Sequence, residues 1–247
     1  MGYVVGGPAG TRSLLVRAVG PGLAAFGVPG TLSDPKFELY TGSALTGGND
    51  NWGGGASLAN AFASVGAFSL DPASLDAATQ VSVANPSTGN TTVIVSGNKT
   101  SAGLVLAEIY DLATTYNAAS GRLVNVSVNK NIAAGETLIA GFVIDGGTGC
   151  KVLVRAVGPG LAAFGVPGTM VDPKLVLYSG SSKTGENDNW GGDAQISAAA
   201  TQVGAFGLGS TSKDAVLLVT LPPGAYTAQV SGVGGGGIAL VEVYEVP

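Results

Sequence analysis

Residues 15–31 read LVRAVGPGLAAFGVPGT, and the same seventeen letters return unchanged at residues 153–169. A perfect recurrence of that length marks an internal duplication, which sets the frame before any local reading is made. The match holds at an offset of 138 residues through Asp34, Pro35 and Lys36 against Asp172, Pro173 and Lys174. It continues through NDNWGG at residues 49–54 and 187–192, VGAF at residues 65–68 and 203–206, and Asp76 against Asp214. Such an offset leaves each copy large enough for its own core. The chain is therefore read as two tandem modules, residues 1–112 and 122–247, with the small, polar stretch 113–121 as a linker.

Charged residues make up only 11% of the chain while glycines number 41, a balance that suits strands joined by tight turns rather than a helical bundle or a disordered tail. The net charge is −5, and eleven basic residues are scattered thinly, so no nucleic-acid partner is expected. The longest apolar runs, such as residues 104–107 and 238–241, fall far below the roughly 18 residues of a membrane helix, so no membrane span is expected. Neither a basic n-region nor a long apolar run follows Met1, so no signal peptide is read. Cys150 is the single cysteine, which excludes an internal disulfide framework.

Short β-branched or aromatic runs at residues 3–5 and 142–144 precede strands at 13–19 and 151–157, and each pair reads as a hairpin. Gly-Pro-Gly then forces a turn, and residues 23–26 with their copy are expected to plug the loop as an apolar cluster. Residues 37–40 and 175–178 read as strands, followed by Gly/Ser-rich turns up to the Asn-Asp-Asn-Trp-Gly-Gly motif. Leu58, Phe62 and Val65, or Ile196, Ala200 and Val203, recur at helical spacing, so each copy carries one short helix, and Asp193 is placed to cap the second. Three further strands close each copy, at residues 79–84, 91–96 and 103–110, and at 216–221, 225–231 and 238–246. An extra strand pair, 123–128 with 137–144, opens the second copy alone. These elements predict an all-β chain of two tandem antiparallel, jelly-roll-like β-sandwiches, each with one short helix.

Histidine is absent, as are paired CxxC, GxSxG and P-loop motifs, so nucleophilic and zinc chemistry lack their usual residues. Arg17 and Arg155, each inside an apolar strand, are expected to pair with a carboxylate. The loops Asn49, Asp50, Asn51 and Asn187, Asp188, Asn189 place oxygen donors before a glycine turn, a pattern that reads first as an Asx-turn anchored by Trp52 or Trp190 and also suits calcium. Either tryptophan could instead offer a stacking face to a sugar. Asn90, Asn98 and Asn125 stand in N-x-Ser/Thr patterns, a weak sign of surface loops. A carboxylate enzyme would need Asp50 near Asp34, or Asp188 near Asp172, across an open cleft.

The runs RLVNVS from Arg122, LIAGFVI from Leu138, NDNW from Asn187, PGAYTAQVSG from Pro223 and ALVEVY from Ala239 resemble the repeat module found near the C-termini of large secreted and cell-surface proteins of environmental bacteria. The second half is similar to the bacterial pre-peptidase C-terminal type of β-sandwich, with its LYxxxG strand, Asn-Asp turn and PGxYTxxV strand. The resemblance covers residues 122–247 fully and 2–112 without the opening strands. It implies a secreted, non-catalytic accessory or structural module. With the repeat, the uncharged polar residues and the missing catalytic constellation, the chain is expected to be a non-enzymatic extracellular or cell-surface protein with a structural or adhesive role; the rival expectation is a carbohydrate-binding accessory module with a surface glycan as partner. Module one begins in the middle of the unit that module two completes, so a sheet edge there is expected to lack its strand. That edge would be filled by residues 122–128 folding back, or by a neighbouring chain in a homo-oligomer or filament.

Overall fold

The computed structural model describes all residues except 87–90, 100 and 114–119. It divides into two compact units, Met1–Val124 and Asn125–Pro247. Most of the linker expected at 113–121 lies outside the described residues.

In the first unit β1 (Gly2–Gly6), β2 (Gly10–Val19), β3 (Pro35–Thr41), β4 (Ala44–Asn49), the helix α1 (Ala56–Ser64), β5 (Ala77–Asn85), β6 (Thr91–Gly97) and β7 (Leu106–Asp111) follow in order. One sheet has the order β5-β2-β7 and the other β4-β3-β6-β1, with antiparallel pairing throughout. The next strand, β8 (Arg122–Ile132), begins in the first unit and ends in the second. Its first three residues flank the outer side of β1, where Val124 lies against Gly6 and Leu123 packs onto the core.

The second unit continues with β9 (Leu138–Ile144), β10 (Cys150–Val157), β11 (Pro173–Ser179), β12 (Ser182–Asn187), α2 (Ala194–Gln202), β13 (Ala215–Leu221), β14 (Gly224–Gly232) and β15 (Gly237–Glu245). Its sheets are β13-β10-β15-β8 and β12-β11-β14-β9, again antiparallel. Each unit is an antiparallel β-sandwich. Alternate residues of β11 and β14, including Leu175, Leu177, Ala228 and Val230, meet Val154, Ala156, Ala239 and Val241 of the facing sheet in one core.

The expected hairpins do not form. β1 pairs with β6 while β2 pairs with β5 and β7, so the two strands lie in opposite sheets; β9 and β10 part in the same way. Gly7, at φ +109°, turns the chain out of the first sheet, and Tyr3 and Val5 then face Leu14 and Val16 across the core instead of along a ladder. The pair expected at 123–128 and 137–144 is likewise split, since β8 joins β15 and β9 joins β14. β9 thus has a counterpart in β1, and the strand of module two without a full counterpart is β8. Strands β4 and β12 occupy what read as turns; they are mostly exposed edges with no apolar alternation to reveal them.

β2 and β10 are buried on both faces along residues 14–19 and 152–157, which accounts for their unbroken apolar sequence. Leu14, Val16 and Ala18 face the sandwich core, while Leu15 and Val19 face a second, smaller core with Trp52, Phe62 and Leu70. The second unit repeats this with Leu153, Trp190, Ala199 and Val216. The helix and the Asn-Asp-Asn-Trp loop therefore form a cap over the outer face of one sheet. At the start of the following loop the backbone runs so close that a Cβ on Gly20 would stand 1.9 Å from Leu32 O, and one on Gly158 2.2 Å from Met170 O.

Candidate functional site

The outward side of β2 and β10 places an arginine beneath the cap, where α1 or α2, the Trp loop and the VGAF turn all converge. The Arg17 guanidinium is fully buried: Nε lies 3.0 Å from Glu108 Oε2 on the neighbouring strand β7, and Nη1 donates to Phe68 O at 2.8 Å. Its carbon sits 4.6 Å from the Phe62 ring and 4.5 Å from the Phe68 ring. In the second unit Arg155 Nε is 3.1 Å from Glu242 Oε2, Nη1 donates to Phe206 O at 2.9 Å, and the Phe206 ring is 4.4 Å away. Both arginines thus find the carboxylate that the sequence called for, while Nη2 of each has no hydrogen-bond partner among the described residues.

Tyr110 and Tyr244 complete each cluster by donating their hydroxyls to Glu108 and Glu242. Burial, and then the adjoining glutamate, push both hydroxyls far above the usual phenol range. Burial also raises the Glu242 carboxyl above its ordinary value, and the attraction of Arg155 offsets this only in part. A group so enclosed orients its neighbours. Asp76 and Asp214 act in the same sense, accepting from the backbone N–H of Gly20 and Gly22, or of Gly158 and Gly160, so that each carboxylate ties the Gly-Pro-Gly turn to the sheet.

The Asn-Asp-Asn-Trp loops fasten the cap. Asn49 Oδ1 accepts from Ala78 N and Asn187 Oδ1 from Val216 N, both at 3.0 Å, and Asn187 Nδ2 donates to Asn189 O. Asp50, Asn51, Asp188 and Asn189 are exposed. Among the described residues no group of three or more His, Cys, Asp or Glu gathers around a metal-sized position. Trp52 and Trp190 are 6% and 8% exposed, and their Nε1 groups donate to Asp71 O and Gly209 O, so neither offers a flat face to a sugar. Among the described residues the exposed aromatic is instead Phe26, with its copy Phe164. Each is 61% exposed and stands edge-on to Phe68 or Phe206 at 4.8 Å. The expected plug at 23–26 is thus only half a plug: Leu23 and Leu161 turn inward and the phenylalanines outward. Asn125 also departs from expectation, since it is buried in β8 and donates to Val243 O.

Among the positions at which the two caps differ, one lies against the arginine. Phe62 corresponds to Ala200, and where the Phe62 ring lies between Arg17 and Trp52, the second unit has a cavity of about 80 Å³ lined by Arg155, Trp190, Ala200 and Phe206. A larger cleft of about 350 Å³ in the first unit is lined by Tyr3, Tyr40, Thr46, Ser82 and Thr91 among others, with no carboxylate among its described lining residues.

No family model matches the chain, and no curated protein matches it. Among solved structures it is similar to a chain of the infectious bursal disease virus Gt strain structure, at 12% identity and a TM-score of 0.21. That match covers 99% of this chain and 58% of the other, so the chain spans less than two thirds of that protein. A second, in the quasi-atomic model of the PBCV-1 virus capsid, has 8% identity and a TM-score of 0.21, covering 100% and 92%. Likenesses at this level carry no argument about fold or role. Among the described residues no helix is long and apolar enough to cross a membrane.

Proposed function

We propose that the chain is a non-enzymatic tandem repeat with a structural or adhesive role in an extracellular or cell-surface protein. The observation that carries this reading is the use made of the polar residues common to both copies. Arg17, Glu108, Asp76 and Asn49, like Arg155, Glu242, Asp214 and Asn187, each bind a strand, a turn or one another. Residues spent on holding backbone are not free to act on a substrate. The sequence resemblance to secreted repeat modules points the same way. Beads coated with the purified chain should adhere to cell envelopes or polysaccharide surfaces above uncoated controls, while panels of ester, glycoside and peptide substrates stay unturned. Turnover that disappears in Asp50→Ala or Asp188→Ala would overturn the proposal.

A glycan-binding accessory role is the second reading, favoured by the exposed rings of Phe26 and Phe164 at the tips of identical loops. In that case Phe26→Ala with Phe164→Ala abolishes adhesion to polysaccharide and leaves the melt unchanged.

A further inference from the structure

The duplication supplies an internal control on one strand. Arg17 stands opposite Glu108 and Arg155 opposite Glu242, so β7 and β15 are the same strand in two copies. β15 lies between β10 and β8, whereas among the described residues β7 pairs with β2 alone. Where β8 covers β15, Ala239 is 0% and Val241 1% exposed. At the equivalent positions of the first unit Val105 is 37% exposed and Ala107 half-buried, and Leu104 and Leu106, 51% and 37% exposed, stand where Ile238 and Leu240 are half-buried. The chain carries large apolar side chains at an edge that, in its twin, is covered. Neither proline nor lysine interrupts residues 104–111 to blunt it.

We propose that the outer edge of β7 is an acceptor for an extended strand of the β8 kind, supplied in trans by a separate polypeptide. The register follows from the twin. Val128 opposes Val241 and Val126 opposes Val243, so the incoming strand sets a valine opposite Ala107 and another opposite Ile109. The recognised chemistry is an alternation of β-branched and small polar residues, as in VNVSVNKNI at residues 124–132. Main-chain hydrogen bonds provide attachment and the inward valines provide selectivity. This deepens the structural-repeat reading by naming the partner, and it rests on that reading for its biological sense; strand binding and bead adhesion are separate assays, and either fails without the other.

The test uses the full chain with Cys150→Ser and a labelled peptide of residues 122–132. Saturable binding is expected, with a peptide carrying prolines for Val126 and Ser127 at least about tenfold weaker because two successive prolines remove a ladder donor whichever way the strand faces. Under mild oxidation, Ala107→Cys is expected to crosslink to the peptide with Val128→Cys and much less to the one with Val126→Cys. Absence of binding, indifference to the prolines, or equal crosslinking in both registers overturns the proposal. Crosslinking at Val241→Cys in preference to Ala107→Cys does so too, because the peptide would then be displacing β8. A disulfide-linked oligomer formed without peptide by the chain carrying both Ala107→Cys and Val128→Cys makes the occupant a second copy, and also overturns it.

Discussion

Phe62 lies over the Arg17 guanidinium at 4.6 Å, and the residue in its place in the second unit, Ala200, leaves about 80 Å³ beside Arg155 unfilled. Filling such a volume is worth about 2 kcal/mol at most. Ala200→Phe should therefore stabilise the second unit by about 1–2 kcal/mol, and Phe62→Ala should destabilise the first by roughly 3–5 kcal/mol. Chemical denaturation of each variant, followed through Trp190 or Trp52 fluorescence, checks both. A loss of stability in Ala200→Phe would mean that the cavity does not have the shape of a ring.

Because burial raises the Glu242 carboxyl above the ordinary 4.5, the folded state holds this proton more tightly than the unfolded chain. Its contribution to stability is present below 4.5 and lost as pH rises through the folded value. The stability of the native chain relative to Glu242→Gln should accordingly fall between acid and neutral pH. Urea titrations of both proteins at several pH values measure this difference. A difference that grows toward neutrality would mean that Arg155 governs the titration instead of burial.

The two helices start differently. Asp193 accepts from the backbone N–H of Gln195 and Ile196 at the head of α2, whereas α1 begins at Gly55 with nearly the same backbone angles and no side chain. Asp193→Ala should cost about 1 kcal/mol. A Cβ at Gly55 meets nothing within 4 Å, so Gly55→Asp should gain roughly 0.5 kcal/mol from the cap and the stiffer unfolded chain. Thermal melts suffice to read both signs.

In each Asn-Asp-Asn loop one amide oxygen holds a strand N–H. Asn49→Ala and Asn187→Ala should each cost about 1–3 kcal/mol by orphaning that donor, and excess calcium should leave the melting temperature unchanged. A calcium-dependent rise that vanishes in Asp50→Ala or Asp188→Ala would instead establish the loops as metal sites.

The all-β class, the duplication and the short helices were legible in the letters, because recurrence, β-branched runs and spacing of three and four are local signals. The helices, residues 56–64 and 194–202, contain Leu58 and Phe62, or Ile196 and Ala200, and end one residue short of Val65 and Val203, which stand as their C-caps. The arginine–carboxylate pairing was also foreseeable as a need, since a charge within an apolar strand must be met, although its partner, on a strand about 90 residues later, was not. Strand order escaped the sequence altogether. Nothing in residues 2–19 distinguishes a hairpin from two strands that face each other across a core, and β4 and β12 are exposed edges without pattern. That β7, among the described residues, pairs with β2 alone is likewise a tertiary fact: Leu104, Val105 and Leu106 resemble Ile238, Ala239 and Leu240 as letters, and the neighbouring strand β8 beside β15 is what separates them. Local propensity and repetition specify which elements form. Which edges they present is decided by contacts between residues far apart in the chain, and these leave no periodic trace in the sequence.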